Sequence, residues 1–393
     1  MLLWLCRFTC LLLALVFSQQ SYAIEQPLAE QLLQRSIVVP QVQYQITAVE
    51  LSAEELVRDR ALFHQFNDLP AGKATLRVTA QQALWLLVQL NNPFPETWQA
   101  WLHYPFLPAD RLSFYQLQPE IPSAQLLGKT GSLLPYSERA LPVRGYVQSI
   151  SLEANGSATL LLKIQDASLL GTELRLASLP ILLAEAQQQL LEDALLSGVL
   201  LLLVLTTLYC SWLQRNTALC FLAGFYLSFA LVLGILNGLA FNQLWPVYPE
   251  LNPVILYIAV GSCLLCLTLF SRRSLLQYAG PRARQLNMLA AAAALLLIFS
   301  PLFASGPLKL QLLFVSVSVA LSIVIIQAIY ISLTTELKAA PRYALQATLG
   351  TFCLLFVQTR YLSGFAEWLN LAIFLLLVSS ALLLQPARSQ HLN

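Results

Sequence analysis

Cysteine is missing between residues 24 and 190, histidine occurs only three times, and charged side chains make up just 11% of the chain. Each shortage excludes something. Without cysteine the N-terminal half has no disulfide and must be held by its own core, which about 165 residues can build. His64, His103 and His391 are too scattered for a metal cluster. An ordinary soluble domain is about 25% charged, so a wholly soluble chain is excluded. There is no basic stripe, hence no nucleic-acid footprint. Phosphate loops, nucleophile elbows and zinc-protease motifs are missing too. Nothing points to an enzyme, a cofactor or a bound metal.

What is abundant is apolar: 57% of residues. Seven runs stand out, at Ala194–Leu213, Thr217–Ala240, Pro253–Phe270, Leu286–Phe303, Gln311–Leu333, Ala344–Leu362 and Trp368–Leu384. Each is close to the ~20 residues that cross ~30 Å of hydrocarbon as a helix. The charge lies mostly in residues 24–190. The chain therefore divides into an exported domain, 24–185, a seven-helix membrane domain, 186–384, and a short tail, 385–393. Ala184–Leu191 reads as a helical lead into the first span.

Residues 1–23 read as a secretory signal. Arg7 precedes an apolar run, and Ser21-Tyr22-Ala23 offers small residues where a signal peptidase cuts. A signal anchor, giving an eighth span, is the rival reading, but the run is short for a span. The later cysteines, Cys210, Cys220, Cys263, Cys266 and Cys353, fall in or beside apolar runs. The Cys263–Cys266 spacing suits a redox or metal pair, but in a lipid-spanning helix it reads as small apolar filler.

Basic residues set the orientation. With the exported domain outside, the inner segments carry Arg215, Arg272, Arg273, Arg282, Arg284, Lys338, Arg342 and Arg388. The outer ones carry Lys309 and Arg360. This asymmetry agrees with the signal peptide and places the tail in the cytoplasm. Trp212, Trp245 and Trp368 lie near helix ends, where indole rings favour the interface.

The exported domain reads as an all-β sandwich. Period-two or dense apolar runs occur at Ala74–Val78, Leu84–Leu90, Trp98–Tyr104, Arg111–Leu117, Val143–Leu152, Thr159–Ile164 and Glu173–Leu176. Pro, Gly and Asn turns separate them. Ser52-Ala53-Glu54-Glu55 is a capping box that opens a helix over Ser52–Asp59. Asn155-Gly156 reads as a hairpin turn.

Three stretches of this domain carry a resemblance. They are Leu84-Trp85-Leu86 with Asn91-Asn92-Pro93, Tyr104–Leu107 with Asp110–Tyr115, and Gly131–Arg139 with Arg144. In the membrane half, Gly234–Trp245 with Pro246 and Leu269–Arg273 belong with them. Together they resemble the bacterial seven-transmembrane receptors with diverse intracellular signalling modules. The resemblance covers about residues 40–384. It implies a jelly-roll-like exported domain related to carbohydrate-binding modules, and a home in the bacterial inner membrane with that domain in the periplasm. This chain departs from the pattern twice. Leu87 stands where the family usually has arginine, and the short tail leaves the expected kinase, cyclase or phosphatase output to a separate cytoplasmic protein.

Candidate ligand contacts follow from sugar and carboxylate chemistry. Flat aromatic faces stack on sugar C–H patches, which nominates Trp98 and Trp101. Three apart on a strand, they face opposite sides, so one should point outward. Trp85, amid apolar neighbours, reads as core. Tyr136, Arg139 and Arg144 gather in one loop, and an arginine fork suits a carboxylate; the bland alternative is a salt bridge to Glu138 or Asp110. Arg272, Arg273, Arg282 and Arg284 are the candidate partner-facing residues. The reading is a receptor-like sensor for a small extracytoplasmic ligand, carbohydrate or carboxylate. The alternative is a membrane-anchored accessory protein that binds envelope glycans without signalling. Transport is disfavoured, because no ionisable residue stands at mid-membrane.

Overall fold

Two β-sheets face each other through an apolar core in the computed structural model, which describes residues 36–69, 75–79, 81–105, 109–118, 123–166, 169–274, 281–304 and 306–334. The expected signal peptide, the sixth and seventh apolar runs and the tail lie outside the described residues. The strands are β1 (Ile37–Val38), β2 (Val42–Ala48), β3 (Asn67–Asp68), β4 (Thr75–Arg77), β5 (Gln82–Asn91), β6 (Trp98–Tyr104), β7 (Arg111–Leu117), β8 (Ala124–Thr130), β9 (Tyr146–Leu152), β10 (Ser157–Gln165), β11 (Leu169–Gly171) and β12 (Arg175–Ala177). One sheet has the order β3-β2-β5-β10-β7-β8, the other β1-β12-β6-β9, and β4 pairs with β11. All pairings are antiparallel.

The period of two explains the core. Leu84, Leu86, Val88 and Leu90 of β5 point inward with Leu160, Leu162 and Ile164 of β10. They meet Ala100, Leu102 and Tyr104 of β6, and Ile150 and Leu152 of β9. The alternate residues of β5 are also covered. Trp85 and Leu87 pack with Leu161 beneath α1 (Ala53–Arg58) and α2 (Arg60–Phe63). Leu87 thus belongs to an apolar layer under a helical cover. Trp85 donates to Thr47 at 2.9 Å, and Lys163 sits over its ring while donating to the Val49 and Leu51 carbonyls. The capping box forms as read: Ser52 and the N3 residue Glu55 cap each other's backbone.

The Asn155-Gly156 turn is not a hairpin. It carries the chain from β9 in one sheet to β10 in the other, with Asn155 at φ 52°. A two-residue spacing cannot distinguish a turn within a sheet from one between sheets. Asn92 fastens this corner, donating to the carbonyls of Glu96, Leu152 and Glu153.

Helices follow. α3 (Leu179–Gln214) is a single helix of 36 residues. Its first turns place Ile181, Leu182 and Ala186 on the outer face of the four-stranded sheet, against Trp101, Val143, Val147 and Ala177. Its remainder is the first apolar run. α4 (Thr217–Leu236), α5 (Leu239–Leu244), α6 (Leu251–Ser274), α7 (Pro281–Phe303) and α8 (Gly306–Thr334) complete the described bundle. Among the described residues α3, α4, α6 and α7 are long and apolar enough to cross a membrane, and α8 carries a shorter apolar stretch, Gln311–Gln327.

Several span limits differ from expectation, two of them for a local reason. The second ends at Leu236 rather than Ala240, because Gly238 takes a left-handed φ of 79° that breaks the helix. The fourth starts at Pro281, well before Leu286, because proline suits the first turn. The bundle core is built on Phe225, Phe229, Leu264, Phe270 and Leu297. At Gly261 the helices close in: a Cβ there would lie 2.6 Å from Ile298 and 3.0 Å from the Ala294 carbonyl of α7. Such close approach by small residues is how membrane helices gain packing. Cys263 and Cys266 are free thiols on α6.

Candidate functional site

The loop joining β8 to β9 reaches down onto the helices. Within it Tyr136–Glu138 forms one 3-10 turn. The Tyr136 amide donates to the Pro246 carbonyl at 2.9 Å, and its ring meets Phe241 of α5 edge-on at 5.6 Å. Burial pushes the Tyr136 phenol above its ordinary pKa, with Arg139 opposing. The Arg139 guanidinium is enclosed by three rings, 4.6 Å from Tyr136, 5.0 Å from Tyr146 and 5.6 Å from Phe241. Two of these rings belong to the sandwich and one to the membrane half.

Arg144 stands at the same seam. Its Nη2 donates to the Asn237 side chain at 2.8 Å, and Asn237 donates onward to Asp193 of α3. Burial lowers the Arg144 pKa, and the carboxylates of Asp193 and Glu192 counter it. The chain from Arg144 through Asn237 to Asp193 therefore joins the sandwich loop, the end of α4 and the middle of α3. A salt bridge to Glu138 or Asp110 does not form; Asp110 instead accepts from Ser132.

The two sequence stretches brought together here are Gly131–Arg144 and Gly234–Pro246. Arg144 and Asn237 are 93 residues apart and belong to different halves of the chain. Both stretches carry the same resemblance.

Family models decide what that resemblance means. One described as 7TM diverse intracellular signalling matches residues 189–385, half of the chain. Another, described as 7TMR-DISM extracellular 2, matches residues 41–178. The chain belongs to the seven-transmembrane receptors with diverse intracellular signalling modules. It is a membrane receptor-like protein with an extracellular β-sandwich ahead of its helices. No curated protein matches it.

In this receptor the tryptophans are placed differently from the loop arginines. Trp98 leans into the sandwich core and meets Phe94 edge-on at 5.2 Å. Trp101 faces outward from the sheet, but α3 covers it. The expectation of one outward ring did not foresee that cover, because the docking of α3 is not encoded in strand periodicity. The seam thus gathers Tyr136, Arg139 and Arg144, and leaves Trp98 and Trp101 on the two faces of β6.

Sequence reasoning missed Asn237, Phe241 and His103. His103 is 5% exposed and its Nε2–H donates to the Arg144 carbonyl at 2.8 Å, while Nδ1 has no partner. Burial holds its pKa below the ordinary histidine value. The unfolded chain then takes up a proton first as pH falls through about 6.5. Stability should be full above that pH and decline below it, levelling off beneath the folded pKa. Thermal unfolding of the full chain between pH 7.5 and 5 checks this. His103→Gln should flatten the profile; an equal slope in the variant would remove His103 as its source.

At the far end of the bundle, Arg272 and Arg273 lie in the last turn of α6, and Arg282 and Arg284 in the first turns of α7. All four are exposed. Positive charge at a helix N-terminus opposes the helix dipole, so Arg282 and Arg284 gain nothing from the dipole of α7.

Proposed function

We propose that the extracellular sandwich binds a small ligand, carbohydrate or carboxylate, outside the bacterial inner membrane. The seven helices relay the change to a separate cytoplasmic signalling protein, such as a kinase, cyclase or phosphatase, through Arg272, Arg273, Arg282 and Arg284. On this reading residues 1–23 are removed on export and the C-terminus is cytoplasmic. The observation that supports it is the seam itself. A membrane anchor needs only a covalent tether, whereas here the sandwich loop also bonds to Asn237 and Pro246 and packs on Phe241. Such contacts make helix position depend on the state of the sandwich.

The test is cross-linking and capture from native membranes. The full chain should retain a cytoplasmic protein, and replacing the four arginines by alanine should release it. Capture that is absent from the full chain, or unaltered by the four substitutions, would sink the relay. A chimaera in which one apolar span replaces residues 194–384 separates the rival: if it keeps the native phenotype, the protein is an anchored glycan binder.

A further inference from the structure

Arg139 is a half-buried cation with two guanidinium nitrogens that make no hydrogen bond. Its Nε and Nη1 are shut off from solvent and neither has a hydrogen-bond partner. Three aromatic rings take up its charge, but a ring face accepts charge without filling the in-plane directions of the guanidinium N–H groups. Buried donors without acceptors are costly and uncommon, so each one asks for a missing partner.

The neighbouring arginine sharpens the contrast. Arg144, on the same seam, has Asn237 as acceptor and Asp193 and Glu192 as countercharges. The fold therefore supplies an acceptor and countercharges to one arginine and withholds them from the other. Among the described residues no carboxylate forms an ion pair with Arg139.

We infer that Arg139 receives the carboxylate of a small extracytoplasmic ligand at the seam between sandwich and helices. The guanidinium is permanently charged and planar, which matches a planar two-oxygen anion. Tyr146 and Phe241 are 1% and 2% exposed, whereas Tyr136 is half-buried. Tyr136 is therefore the ring that can meet the C–H face of a ring-shaped ligand body, and a uronic acid fits both halves of the site. Occupancy competes with a contact that crosses the seam. For the anion to reach Nε or Nη1, a ring must yield, and Phe241 is the ring that belongs to the membrane half. Binding and loosening of the seam are then one event. The inference rests on the proposed sensor reading only in taking the ligand to come from outside.

The experiment uses the full chain in nanodiscs of uncharged phospholipid, titrated with sodium D-glucuronate. D-glucose and sodium chloride at matched concentrations are the controls. Glucuronate should raise the thermal midpoint saturably, and the controls should not. Arg139→Gln should weaken the effect by about tenfold or more, as expected for a lost charged hydrogen bond. Arg139→Lys keeps the charge and guards against simple misfolding; it should retain the unliganded midpoint and still bind poorly. Phe241→Leu should bind more tightly, since the competing ring is gone.

Equal responses to glucose, or undiminished binding by Arg139→Gln and Arg139→Lys, would overturn the inference. So would nanodiscs of anionic phospholipid that raise the midpoint alone and abolish the glucuronate effect, since a lipid phosphate would then be the occupant. Loss of cytoplasmic capture would leave this binding intact, and loss of this binding would leave capture intact. The two ideas therefore fail separately.

Discussion

Gly145→Val should cost the receptor about 3 kcal/mol or more of sandwich stability. Gly145 has φ 88°, and a Cβ there would lie 2.6 Å from the Tyr104 carbonyl oxygen, 2.7 Å from His103 Nε2 and 2.9 Å from Pro105 Cα. Two of these three neighbours are backbone, which cannot swing away as a long side chain can. A left-handed β-branched residue costs about 1–3 kcal/mol, and overpacking a tight site about as much again. The total is a large part of the ~5–15 kcal/mol that holds a domain together. It also falls on the residue that sets the path of Arg144. Thermal unfolding of the full chain, followed by circular dichroism, should show a midpoint lower by about 6–12 °C. A shift below about 2 °C would mean that the backbone near Pro105 gives way easily, and the geometric reason for the glycine would be lost.

Arg144→Ala should separate the two halves without unfolding either. It removes the donor to Asn237 and the cation that faces Asp193 and Glu192. Removing one member of a buried charged set costs about 3–5 kcal/mol, because the remaining charge is stranded; the incomplete burial of Arg144 places the effect near the lower end. The loop 131–145 should become more open to protease, while the strands keep their protection. A double-mutant cycle with Asn237→Ala checks the pairing. The coupling should be about 1–3 kcal/mol, in the range for residues sharing one network. Strictly additive effects would show that the 2.8 Å contact carries no energy.

The strands that positioned the core were readable because one face of each is buried and the period is two. Trp98–Tyr104 and Arg111–Leu117 have the limits their patterns indicate. β2 alternates as well, but its sequence VQYQITA holds two glutamines and only three strong apolar residues, so the signal is thin. β8 is an edge strand, mostly half-exposed, with no apolar face to display. The seam was half legible. Arginine, tyrosine and a tight loop announced Tyr136, Arg139 and Arg144, but nothing local tells a loop what it will touch. Asn237 and Phe241 looked like ordinary residues at the end of an apolar run. Only the break at Gly238 turns them toward the sandwich, and a glycine in an apolar run gives no hint of its φ. Trp101 failed to stand free for a similar reason: its cover comes from a helix nearly eighty residues later in the sequence (Trp101 to Leu179).

The continuity of α3 has a mechanical consequence. Thirty-six helical residues make a rod about 54 Å long. Its upper turns are bedded on the sheet, and its lower turns stand among the other helices. A tilt of about 5° at the sandwich would swing the far end by about 5 Å, roughly one helical turn. Rotation about the rod is another matter. Bedded on one sheet face, the rod has little freedom to turn, and the contacts at Asn237, Pro246 and Phe241 lie off its axis and act as pins. With the pins in place rotation is blocked, and rocking toward or away from α4 and α5 is the motion they oppose least.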